Sequence, residues 1–210
     1  SSYNRSSALG FYNTASGDGS SAVGCGNAAS GNQSSAMGYY NISSQFGSTA
    51  VGFDNTSSGL ESTAVGFENI SSGNESTAVG LANTIYAEDA SAFGNHNAIT
   101  STAADSTATG YRNTVSGEYA LASGYLNKAS ATNSTVLGQN STASAENAVA
   151  LGNTATASET NSIALGSNST ASTANSVALG SGSVTSSAHT GSTATGITLN
   201  GTTYTYAGTA

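Results

Sequence analysis

Ser62-Thr63-Ala64-Val65-Gly66 is one of a series of near-identical pentapeptides. Ser48-Thr49-Ala50-Val51-Gly52 precedes it and Ser76-Thr77-Ala78-Val79-Gly80 follows it, each fourteen residues away. The closing glycines run Gly10, Gly24, Gly38, Gly52, Gly66, Gly80 and Gly94; after one step of sixteen they continue as Gly110, Gly124, Gly138, Gly152, Gly166 and Gly180. Thirteen copies in one register make an internal repeat, and the repeat decides the fold. The two extra residues fall within Ser101–Asp105.

Each copy has two halves. The first is small-Ser/Thr-Ala-Val/Leu-Gly. The second opens three residues past the glycine, on Asn41, Asn55, Asn69 or Asn83, and closes on pairs such as Ser58-Gly59 and Ser72-Gly73. Asn, Ser and Gly at these places read as turn residues. Fourteen residues cannot hold a helix, a strand and their connections, and Gly and Ser at this density oppose helix. The remaining solution is all-β: a parallel β-solenoid with two short strands per coil. Thirteen coils stacked about 4.8 Å apart make a rod roughly 60 Å long.

Side chains alternate along a strand. Counting from the glycine, positions −2 and 0 share a face, and −2 is Ala in twelve of thirteen copies, with Val136 the exception. That face is expected to line a thin lumen. Positions −3, −1 and +1 share the other face. At −1 stand Leu9, Val23, Met37, Val51, Val65, Val79, Phe93, Leu137, Leu151, Leu165 and Leu179, and at +1 stand Phe53 and Phe67 among other large residues. An apolar stripe along the whole rod, on the side away from the lumen, requires a second surface to cover it. These residues are therefore expected to form an interface between copies of the chain, closed by rotational symmetry. The stripe alone does not choose between twofold, threefold and fourfold packing.

Composition narrows the function. Charged residues are 7% of the chain, Pro is absent, and three Lys+Arg stand against eleven Asp+Glu, for a net charge of −8. Arg5, Arg112 and Lys128 are too few for a nucleic-acid surface. The single cysteine, Cys25, excludes an intrachain disulfide and cysteine-based zinc sites. It occupies the +1 column, where a small apolar role is the plain reading and an interchain thiol the sharper one. The chain begins inside a repeat, which reads as a piece of something longer.

From Asn161 to Ala171 the sequence is Asn-Ser-Ile-Ala-Leu-Gly-Ser-Asn-Ser-Thr-Ala, and Asn175-Ser176-Val177-Ala178-Leu179-Gly180 repeats its opening. These residues resemble the YadA-type head of trimeric autotransporter adhesins. The resemblance covers about Ser6 to Ser183, and Ile197 to Gly208 resembles the segment leading to the neck of such proteins. Two parts follow, head repeats over 1–186 and a C-terminal segment over 187–210. The resemblance implies a left-handed parallel β-roll, homotrimeric about a central axis, on the surface of a Gram-negative cell. Outer-membrane anchoring would come from regions outside this chain. The implied partners are host matrix proteins (collagen, fibronectin, laminin) or receptors such as carcinoembryonic-antigen-related cell adhesion molecules. A spacer or self-associating biofilm module without a host receptor is the alternative.

Catalysis finds little support. His96 lies in a turn without a nucleophile elbow, no loop cradles phosphate, and a surface histidine is the plainer reading. Neither an enzyme nor a bound metal or other cofactor is expected. Asp18, Asp54 and Asp105 do not recur in the register of calcium-binding coils. Thr14, Thr56, Thr84 and Thr114 form a column that could suggest ice binding, but Ala28, Ile42, Ile70, Ala98 and Lys128 interrupt it. A receptor site is best sought where the repeat breaks, between Gly80 and Gly110, because loops on a rigid scaffold commonly carry function. The candidate residues are Tyr86, Glu88, Asp89, His96, Ser101 and Asp105, with Arg112 and Tyr119 one coil further on. Plain tolerance of a surface insertion is the competing reading.

Overall fold

In the computed structural model, residues 5–185 are described, together with the backbone of two later strands, Gly196–Leu199 and Thr202–Thr205, which pair antiparallel. The expected boundary between residues 186 and 187 lies outside the described residues. Residues 7–185 form a parallel β-solenoid of two thirteen-stranded sheets. One sheet holds the long strands, such as Thr63–Phe67, and the other holds two-residue strands such as Ile70–Ser71. Strands stack in repeat register: Val65 beside Val79, Gly66 beside Gly80, Phe67 beside Leu81. Backbone bonds run from coil to coil, with Thr63 N donating to Ser76 O at 2.8 Å.

The −2 alanines are the core. Ala22, Ala36, Ala50, Ala64, Ala78, Ala92, Ala108 and Ala122 are fully buried, as is Val136. The glycine, however, is needed for a reason other than a thin lumen. Gly66 has φ +125°, and a Cβ there would lie 2.1 Å from the carbonyl oxygen of Gly80 on the next coil. The clash is along the rod, between stacked backbones. No L side chain fits either the angle or the space.

The asparagines three past the glycine are not turn residues. Asn27, Asn41, Asn55, Asn69, Asn83, Asn97, Asn113 and Asn127 are buried and form a ladder through the core. Asn69 Nδ2 donates to Val65 O at 3.1 Å, to Gly80 O at 2.7 Å and to Asn55 Oδ1 at 3.0 Å. Its Oδ1 accepts from the backbone N–H and side chain of Asn83. Each amide thus satisfies carbonyls at the bend between strands, where no ladder partner reaches them. From Ser141 onward the ladder ends, and the Ser141 hydroxyl donates to Gly152 O at 2.9 Å in its place.

The lumen is also less uniform than small side chains throughout would make it. In three coils it carries paired hydroxyls: Ser43 with Ser48, Ser57 with Ser62, Ser71 with Ser76. In the next, Ile85 and Ala90 take the same two places, both fully buried. At Ser20 (opposite Ala15), Ser34 (Ala29) and Ser134 (Ala129) the hydroxyl is buried without a partner, whereas Ser162, opposite Ala157, accepts from Glu159 N at 3.2 Å. A mixed pair leaves the serine dependent on a nearby backbone group, as Ser106, opposite Ile99, donates to Ala103 O at 2.6 Å.

Candidate functional site

Each coil has two edges, and both are built on left-handed residues. At +2 the chain turns from long strand to short strand through Tyr40, Asp54, Glu68, Ala82, His96, Arg112 and Leu126, all at φ between 52° and 56°. At −5 it turns back through Gln33, Glu61, Glu75, Asp89, Asp105 and Tyr119, at φ between 52° and 57°. Asn and Gly tolerate this conformation best, and the later coils use Asn at −5 from Asn133 to Asn175. Intercoil bonds hold both edges: Glu68 N donates to Phe53 O at 2.9 Å, and Glu75 N to Leu60 O at 2.7 Å.

Between the edges, the outer face of the long-strand sheet carries the apolar stripe. Tyr39 stacks on Phe53 at 5.2 Å between ring centroids, and Phe53 on Phe67 at 4.8 Å with the rings 5° apart. Further along, Tyr111 stacks on Tyr125 at 5.4 Å. The repeat spacing places successive rings in offset contact. Phe53 and Phe67 nevertheless remain 40% exposed in the single chain, and Met37, Phe93, Leu137 and Leu165 are similarly open. Val51, Val65, Val79 and Leu151 are half-buried on the same face, as is Val23. Leu9 and Leu179 are exposed on the end coils. Cys25 is a free, half-exposed thiol in this column, beside Phe11 and Tyr39.

The irregular region does not gather its residues in one place. Asp89, Asp105 and Tyr119 lie on the −5 edge, with Glu88 beside Asp89; Tyr86 and Ser101 approach that edge from the short strands. His96 and Arg112 lie on the +2 edge, across the width of the coil. The inserted pair is Ser101-Thr102, because Ala103 and Asp105 resume the places of Ala87 and Asp89, with Asp105 N donating to Glu88 O. The insertion forms its own turn, closed by Ala103 N donating to Thr100 O at 3.0 Å, and Thr102 Oγ1 donates to Ser116 O at 2.9 Å. It is a small, tied-down bulge.

The −5 edge is acidic. Glu75 is held above the ordinary carboxylate range, first by the charge of Asp89, then by desolvation and by Glu61 and Glu88. The Tyr119 hydroxyl is likewise raised, by Glu118 and then Asp105. On the +2 edge, Arg112 stands in the same coil as Asp105. The Arg112 guanidinium lies 5.2 Å from the Tyr111 ring centroid, a cation–π arrangement. His96 Nδ1 pairs with the side-chain oxygen of its neighbour Asn95. Among the described residues, no three His, Cys, Asp or Glu side chains are gathered as metal ligands, and no pocket opens on the surface.

The core asparagines escape a sequence reading because Asn is so common in turns. The available signal was their invariance: turn residues varied from copy to copy, whereas Asn returned at +3 from Asn13 through Asn127 without exception.

A model of the YadA head domain repeat, in its two-copy form, matches the chain at residues 4–25, 29–55, 43–69, 57–83, 101–127, 129–155 and 157–183. The longest internal stretch it leaves unmatched is 84–100, which holds Tyr86, Glu88, Asp89 and His96. No curated protein matches the chain.

Proposed function

The chain belongs to the YadA head domain family, and from that premise we propose that it works as the homotrimeric head of a surface adhesin. The observation that carries self-association is the exposed apolar stripe, and the threefold number is taken from the family. Stacked Tyr39, Phe53 and Phe67, flanked by Val51 and Val65, line one face of a rod whose own core is already filled by alanine and asparagine. Three left-handed rods with these faces on a common axis would cover it. Light charge, repeated coils and the lack of a pocket among the described residues suit broad, shallow contact with a large partner, and three copies multiply weak contacts through avidity.

The partner in this reading is a host matrix protein such as collagen, fibronectin or laminin, or a host receptor of the carcinoembryonic-antigen-related class. The contact region is the irregular stretch around Tyr86, Glu88, Asp89, Ser101, Asp105 and Tyr119. Display on the outer membrane of a Gram-negative cell belongs to the same reading. The test is a binding screen of the purified trimer against matrix proteins and epithelial receptors, repeated with Ser101 and Thr102 deleted. Binding that is lost on deletion supports both adhesin and site. Clumping of coated beads without any host ligand would favour a self-associating module instead.

A further inference from the structure

In two adjacent coils of the irregular region, the two edges carry complementary side chains. From Ser21–Cys25 onward, each long strand lies between two left-handed residues seven positions apart. Successive rungs pair Asp89 with His96, Asp105 with Arg112, Tyr119 with Leu126, and Asn133 with Asn140. Acid stands against base in two adjacent rungs, then aromatic against aliphatic, then amide against amide. Earlier rungs are not complementary: Glu61 and Glu68 are like-charged, and Gln33 faces Tyr40 and Glu75 faces Ala82. An extended strand advances about 3.3 Å per residue, so the two members of a rung are about 20 Å apart in one chain. No side-chain pair spans that distance. The matching has a physical effect only if the opposite edge of a second copy lies alongside.

A ring of rods closed about one axis supplies that edge. Its interfaces are head-to-tail: the +2 edge of each subunit abuts the −5 edge of the next, at the same height. We infer that Arg112 of each subunit pairs with Asp105 of the partner subunit, closing the candidate site across the subunit boundary. The inference rests on the trimeric reading above. It explains why the candidate residues divide between two edges: each half belongs to a different copy. The site is then composite, with an acidic side from one chain and Arg112, carried against Tyr111, from its neighbour.

Crosslinking tests it directly. In a chain with Cys25→Ser, the paired substitutions Asp105→Cys and Arg112→Cys are treated with a short bismaleimide. Covalent dimers and trimers should appear on a denaturing gel, while each cysteine alone should leave monomers. A second measurement avoids the reagent. Arg112→Asp and Asp105→Arg should each lower the melting temperature of the trimer, and the two together should restore it. A chain that is trimeric by light scattering but gives no crosslinked species, or whose two reversals simply add, overturns the edge pairing and leaves the trimer standing. An unsubstituted chain that is monomeric overturns both.

Discussion

Asn69 shows how much of this fold rests on single polar side chains. It is fully buried and completes the hydrogen bonding of Val65, Gly80 and Asn83. Asn69→Ala should orphan those groups and cost on the order of 3 kcal/mol, measured by thermal melting. Gly66→Ala should cost more, above about 4 kcal/mol, because it combines a forbidden φ with a 2.1 Å approach to Gly80 O. At the surface, Glu75 gives a pH effect. Its folded pKa is raised, so repulsion from Asp89 is absent while the carboxyl stays protonated and grows as pH rises through and above the ordinary carboxylate range. Glu75→Gln should therefore melt higher than the parent at neutral pH, with the difference vanishing in acid.

At the scale of the strand and coil, the lumen pairs decide stability. Ala29→Ser should give the orphaned Ser34 hydroxyl the partner that Ser57 gives Ser62, raising stability by about 1 kcal/mol. Equal or lower melting would mean that the pairing does not transfer between coils. Ala64→Leu should overpack the same lumen and lower the melting temperature. Sequence periodicity was enough to reveal the coil, its parallel register and the inward alanines, because side-chain alternation follows directly from the strand. It was not enough to place Asn69 inside, since Asn occupies turns for unrelated reasons and strand parity is lost across the bend. Nor could it show that His96 and Asp89 lie on opposite edges. Seven residues mean proximity on a helix and about 20 Å on a strand.

For the whole molecule, the long-strand sheet presents the chain's main unsatisfied surface. A monomer would leave Phe53, Phe67, Met37 and Leu137 facing water. In the proposed trimer, Val65→Asp would place one carboxylate per subunit in the covered apolar face, without room to hydrate. The most direct measurement is the mass of the purified chain by light scattering, alone and with Val65→Asp. The parent should weigh three times the 20.4 kDa chain mass and the variant one chain mass. A monomeric parent, or a Val65→Asp variant that stays trimeric, would contradict the proposed interface.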